Sequence, residues 1–376
     1  MEITVVGCGA VTAVGQGIDS LRAAIRANSS GLRSCARFKT PIYQSDILGA
    51  VPNGGLVDDP VFHLADLALR EARAQAAATL DKFPPARIGF VLSTTKANIE
   101  ALERLIDGRP CSESAQKHLQ AHGLAADLAA THGAAGPVQT ISLACVSGIV
   151  AIQQAAKLLQ RDAVDAVLVV GVDCLSPFVA AGFSALRALD PLGCRPFDRD
   201  RNGLSLGESG AALVLARGHG EITICGWGGS NDANHLTGPA RDGSGLVLAM
   251  RRALKAAKIS PRDIGYVNAH GTGTPYNDAM ESLALRSVFG DECPPVSASK
   301  GMLGHTLGAA GIVETIICIL AAQEQLLPGT PRLTAPADGA PTQLLKEPRA
   351  ATNLRHILKL GTGFGGVNAA LVLRHG

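Results

Sequence analysis

ITVVGCG, residues 3–9, recurs as ITICGWG, residues 222–228. The match reads either as two similar strand-to-glycine turns or as the mark of a duplication, and position favours the second: one copy opens the chain, the other follows the apolar run GAALVLARG (210–218) just past the middle. ARIGFVLS (86–93) precedes a helix-period stretch at 99–106, VDAVLVVGVD (164–173) follows one at 147–159, and the first copy is followed by one at 18–27. Strands alternating with helices predict an α/β fold with buried sheets. A chain of 376 residues also exceeds the ~250–300 residues at which single cores stop growing. Two fused α/β halves, 1–217 and 218–376, are expected, with loop-rich stretches at 52–60, 188–203 and 330–348.

Composition narrows the function classes. A net charge of +2 with no run of like charges gives no field for non-specific nucleic-acid binding. The nine cysteines are scattered and never form C-x-x-C, which argues against a disulfide framework or zinc site and suits a reducing cytoplasm. The opening MEITVVGCGAVTAVG carries Glu2 and three glycines, Gly7, Gly9 and Gly15, and reads as a strand rather than a signal peptide. The apolar run from Leu307 to Ala322 holds Glu314 in its middle and is shorter than the ~20 residues of a membrane span. A soluble, cytoplasmic protein without nucleic-acid partners is the expectation.

Four segments carry chemistry. VQTISLACVSGIVAIQQAAKLL (138–159) reads as a strand ending near Ala144, a turn at Cys145 and an apolar helix whose N-terminal N–H groups would lower the thiol pKa. Taken alone, Cys145 reads more readily as a small buried hydrophobe, as most free cysteines are. YVNAHGTGTPYNDAMESLAL (266–285) brings a strand into His270, then a Gly/Thr loop that could floor a cleft for a long thin ligand, then a helix where Asp278 and Glu281 have capping-box spacing. SASKGMLGHTLGAAGIVETIICILAA (297–322) places Lys300 and His305 among Gly301, Gly304, Gly308 and Gly311, a spacing that implies tight packing rather than a solvated loop. Glu314 in the apolar helix that follows is costly to bury without a cation, and Lys300 is the candidate. HILKLGTGFGGVNAALVL (356–373) has a loop, 361–366, that either presents N–H groups to an oxyanion or simply turns.

Together these segments, with RPFDRDRNGLSLGESGAALVL (195–215), resemble the β-ketoacyl-acyl-carrier-protein synthase family, elongating type, nearly end to end; ACVSG, HGTGTPYND, SKGMLGHTLGAAG and GFGGVN occur in the family's order. The resemblance implies a thiolase-like fold, two pseudo-symmetric halves in a five-layer αβαβα sandwich, and a dimer. It implies that Cys145 takes the acyl group and that His270 and His305 stabilise the enolate formed on decarboxylation of a malonyl thioester. It further implies Lys300 with Glu314 behind the histidines, Phe364 as gate and oxyanion donor, and Thr272 and Thr274 on the pantetheine arm. The chain would carry no cofactor of its own; the phosphopantetheine belongs to the acyl carrier protein, an acidic partner for which Arg195, Arg199 and Arg201 are candidate contacts.

Cys-His-His separates this pattern from initiating synthases, which use Cys-His-Asn, and from thiolases, which use a second catalytic cysteine. Two departures stand out: GFVLSTTKANIEALERL replaces the Gly-Gly loop upstream of the nucleophile, and Val6-Gly7 replaces the usual Thr-Gly. The shortened STTKANI form is similar to synthases of bacterial secondary pathways such as those making aryl polyene pigments. Homodimer and heterodimer both stay open. The alternative is one subunit of a ketosynthase/chain-length-factor pair, inactive alone; the presence of Cys145, His270 and His305 speaks against a non-catalytic subunit.

Overall fold

Both copies of the repeat are strands, and they lie side by side. In this computed structural model, which describes residues 2–52 and 57–376, Ile3–Thr12 pairs antiparallel with Ile222–Asn231 through Ile3↔Ile224 and Thr4↔Thr223. Residues 53–56 of the loop expected at 52–60 lie outside the described residues. Outward from the first copy run Ser209–Arg217, Ala166–Asp173, Ile88–Ser93 and Val138–Ile141; outward from the second run Val367–His375, His356–Gly363, Tyr266–Asn268 and Val296–Ser297. The pairing sequence is the same on both sides, antiparallel twice and then parallel twice. The order of the strands and the sense of each pairing thus repeat on either side of the two copies.

The repeat itself has a packing cause. A Cβ on Gly7 or Gly9 would stand 2.1 or 2.2 Å from the carbonyl oxygens of Ala72 and Ala68, and one on Gly226 or Gly228 would stand 2.4 or 2.1 Å from those of Ala253 and Ala249. In each half, alternate glycines let a helix lie backbone-to-backbone on the strand: Pro60–Leu80 in the first, Ser244–Ala257 in the second. The residue before the first of these glycines is bulged in both copies, Val6 and Cys225, since the register skips each.

Those two helices form outer layers. The helices Ser147–Gln160 and Ala310–Glu324 form the middle one, buried between the half-sheets in the largest apolar cluster. They cross at Gly148, where a Cβ would lie 2.9 Å from Cα of Gly311. The result is the expected five-layer αβαβα sandwich. Residues 307–324 have the length and composition of a membrane span, yet 89% of that window is buried inside the protein, as a core helix should be. Val138–Ile141 closes one end of the sheet with Val138 43% and nearby Leu143 39% exposed, so this edge presents unpaired backbone and apolar side chains together.

Candidate active site

Cys145 lies where the first half-sheet hands the chain to the middle layer. The strand ends at Ile141, earlier than the expected Ala144; Ala144 adopts a left-handed conformation (φ 47°), and the helix begins at Ser147. The Ser147 hydroxyl holds this turn, donating to the Ala144 carbonyl at 2.6 Å and accepting the Leu143 N–H at 2.7 Å. Burial pushes the Cys145 thiol up to about 11, while the Lys300 charge and the Phe364 N–H pull the other way. A lowered pKa was the sequence expectation. Removal from water outweighs the helix terminus, so the resting group is the thiol.

The histidines come from two loops: His270 follows the strand Tyr266–Asn268, and His305 stands between the short helix Lys300–Leu303 and the helix Ala310–Glu324. His270 and His305 meet edge to face, ring centroids 5.4 Å apart at 86°, and both are buried. Burial, and after it the Lys300 charge, holds both imidazoles well below their ordinary range, so both are neutral near pH 7. The Lys300 ammonium donates to His270 Nδ1 at 3.3 Å, to the His270 carbonyl at 2.5 Å and to Glu314 Oε1 at 2.7 Å. With Nδ1 accepting, the His270 proton sits on Nε2. Among the described residues His305 finds no hydrogen-bond partner for either ring nitrogen, although it is 1% exposed. A buried imidazole with both nitrogens unused is the mark of a group kept for a ligand.

Glu314 has the cation that the sequence demanded, and a second one besides: Lys359 on the strand His356–Gly363 lies 2.8 Å from its Oε2. Both lysine side chains are fully buried. The glycines around Lys300 pack as expected; a Cβ on Gly301 would lie 2.1 Å from the Pro331 carbonyl oxygen and one on Gly311 2.3 Å from the Ile149 nitrogen.

Asp278 and Glu281 do not form a capping box. The helix Pro275–Phe289 starts after Thr274, which makes no side-chain cap bond, and the two acids lie inside it. They reach back to the preceding loop instead, where Glu281 accepts the N–H groups of His270 at 2.6 Å and Gly271 at 2.8 Å and Asp278 that of Gly273 at 3.2 Å, and Asp278 also accepts the N–H of the distant Phe197 at 2.7 Å. Burial pushes Glu281 up to about 7. On the loop they hold, the Thr272 and Thr274 hydroxyls stand 2.9 Å apart.

Cys145, His270, His305, Thr272, Thr274 and Phe364 all line one cleft of about 1090 Å³. The Phe364 ring stacks on Phe183 at 5.8 Å, and Gly365 and Gly366 behind it take φ of 81° and 74°, which favours glycine. The arginines divide differently. Arg195 is paired with Asp190 at 3.2 Å and Arg201 with buried Asp278 at 3.7 Å, whereas Arg199 is exposed. Arg187 and Arg241, which the sequence reading did not single out, are exposed and line the cleft.

One further buried acid supports His305. Asp173 accepts the Gly308 N–H at 2.7 Å, the Thr94 hydroxyl at 2.8 Å and the Thr95 hydroxyl at 2.7 Å, with Lys96 at 3.1 Å. The STTK segment thereby anchors the turn that follows His305.

Comparison with known proteins gives the family and the fold. The family models for the beta-ketoacyl synthase N-terminal and C-terminal domains match residues 57–220 and 222–334. The chain is 34% identical to a putative polyketide beta-ketoacyl synthase 1 of Streptomyces halstedii, covering 84% of this chain and 82% of that one. It is 30% identical to the 3-oxoacyl-[acyl-carrier-protein] synthase 2 of Vibrio cholerae over 99% of each. Among solved structures, the ishigamide ketosynthase/chain length factor superposes with a TM-score of 0.91 at 28% identity, covering 100% of this chain and 99% of that one.

Proposed function

This chain belongs to the β-ketoacyl synthase family, and on that footing we propose that it joins an acyl group held on Cys145 to a two-carbon unit derived from malonyl-carrier protein. The observation that carries the reading is the buried, neutral histidine pair in the same cleft as the thiol, with the His305 nitrogens unpartnered among the described residues.

The chemistry follows from those groups. Cys145 attacks the acyl thioester carbonyl of the first carrier protein; its proton leaves with the carrier thiol, and the oxyanion is held by the N–H groups of Cys145 and Phe364. The malonyl thioester then enters along Thr272 and Thr274. Its C–C bond to the carboxylate breaks, CO₂ departs, and the electron pair forms an enolate whose oxygen accepts hydrogen bonds from His270 Nε2–H and from His305. The enolate carbon attacks the acyl-Cys145 carbonyl, and the Cys145 sulfur leaves as thiolate and regains a proton. The phosphopantetheine arm is the carrier protein's, so the chain needs only to hold it. Neutral imidazoles suit this role, because each can donate one N–H hydrogen bond without placing a charge in a dry site.

A second subunit is part of the reading. The exposed strand edge at Val138–Ile141 is a surface that a partner would cover, and the ketosynthase/chain length factor likeness favours a second ketosynthase-like subunit there. Intact-protein mass spectrometry of wild type and Cys145→Ala with acyl-carrier and then malonyl-carrier protein tests the function. An adduct on the wild type only, followed by a product two carbons longer, is expected. Acylation without elongation, in the chain alone and with a chain length factor added, would refute condensation.

A further inference from the structure

The Lys300–Glu314–Lys359 cluster holds more positive than negative charge in a buried place. One carboxylate faces two ammonium groups, Oε1 taking Lys300 at 2.7 Å and Oε2 taking Lys359 at 2.8 Å. A second buried lysine is costly unless something gains from it. Lys359 is not needed to neutralise Glu314, which Lys300 already does. Its neighbours indicate another use. It sits on the strand that runs to Phe364, donates to the Leu360 carbonyl, and joins that strand to the helix carrying Glu314.

Lys300 has three N–H groups and three acceptors: Glu314 Oε1, the His270 carbonyl and His270 Nδ1. That distribution holds only while Glu314 offers Lys300 a single oxygen. Without Lys359, both carboxylate oxygens would be free for Lys300, and the N–H now aimed at Nδ1 at 3.3 Å would be the longest of the three bonds and the first to be lost. We propose that Lys359 is a positioning residue: by occupying Glu314 Oε2 it keeps the Lys300 ammonium on His270 Nδ1, and so keeps the His270 proton on Nε2, toward the cleft.

This deepens the condensing-enzyme reading and rests on it for its consequence in catalysis, but the tautomer can be read without turnover. The groups facing His270 are Lys300 and Glu314 behind it, His305 across the cleft, Glu281 on its backbone N–H, Cys145 in the cleft and Lys359 one step further back. Removing Lys359 removes a positive charge from this set and loosens Nδ1, so both effects make protonation of His270 easier.

The experiment compares wild type, Lys359→Met and Lys359→Arg, with ¹⁵N-histidine spectra from pH 5 to 8 and His270→Gln for assignment. The wild type is expected to show His270 as the Nε2–H tautomer down to low pH. Lys359→Met is expected to show a mixed or protonated His270, with its titration moved up by about one pH unit, and Lys359→Arg to restore the wild-type spectrum. Malonyl-carrier protein decarboxylation should fall about tenfold in Lys359→Met and recover in Lys359→Arg, with Cys145 acylation unchanged. A folded Lys359→Met with the wild-type His270 spectrum and titration overturns the proposal. A wild type that shows the tautomer yet releases no CO₂ overturns the condensing-enzyme reading and leaves the structural role of Lys359 standing.

Discussion

Glu281 accepts the backbone N–H of His270 at 2.6 Å and that of Gly271 at 2.8 Å from inside a helix that begins six residues earlier, at Pro275. Burial pushes this carboxyl up to about 7, and the sign of its effect on stability follows. The folded pKa is raised above the unfolded one, so the stabilisation is fully present below about pH 4.5 and is lost as the pH rises through about 7. Thermal unfolding between pH 4.5 and 8 should show a loss on the order of 3 kcal/mol from this group, and Glu281→Gln should flatten that slope. An unchanged slope in Glu281→Gln would assign the dependence elsewhere.

Asp173→Asn should act on both stability and His305. The substitution leaves Lys96 buried without its carboxylate and weakens the acceptor of the Gly308 N–H. A loss of about 3–5 kcal/mol is expected in urea unfolding, with decarboxylation falling and acylation of Cys145 intact in the fraction that stays folded.

The duplicated glycines should be equivalent in cost. Gly9→Ala and Gly228→Ala each drive a Cβ to within 2.2 and 2.1 Å of a helix carbonyl oxygen, so each should destabilise by about 3 kcal/mol. A neutral result at either position in denaturant unfolding would show that the helix can shift, and that the repeat is not set by packing.

Charge reversal separates two groups of arginines. Arg187→Glu and Arg241→Glu, exposed at the cleft, should raise KM for acyl-carrier protein, more at low salt, with kcat little changed. Arg195→Glu and Arg201→Glu face Asp190 and Asp278 inside the protein, so they should lower the unfolding midpoint first. Equal effects of all four on KM alone would contradict this division.

Much of the site was legible because its signals are local. Cys145, His270 and His305 each stand at a junction marked by glycines or a turn, and a lone acid in an apolar helix, Glu314, announces a buried cation. What was missed depends on distant packing. Lys359 in HILKLG reads like the solvent side of a strand, and only the helix laid across it makes that side dry. Asp173 looks like the polar end of an apolar strand until the turn after His305 folds onto it. Asp278 and Glu281 have the spacing of a cap, but the helix starts a turn earlier than a cap there would require. Arg195 and Arg201 read as surface charge because their partners Asp190 and Asp278 meet them only through the fold. The longest helix, Pro60–Leu80, went unnamed: its alanine-rich face is matched not to bulky side chains but to Gly7 and Gly9 on a remote strand.

The most direct test of the account is CO₂ release from malonyl-carrier protein, measured beside Cys145 acylation in wild type, Cys145→Ala and His305→Ala. The division of labour predicts that Cys145→Ala still releases CO₂ but forms no acyl-enzyme and no longer chain. It predicts that His305→Ala is acylated normally and releases CO₂ at least a hundredfold more slowly, on the order of one lost transition-state hydrogen bond in a dry site. Wild-type CO₂ release by acylated His305→Ala would contradict it.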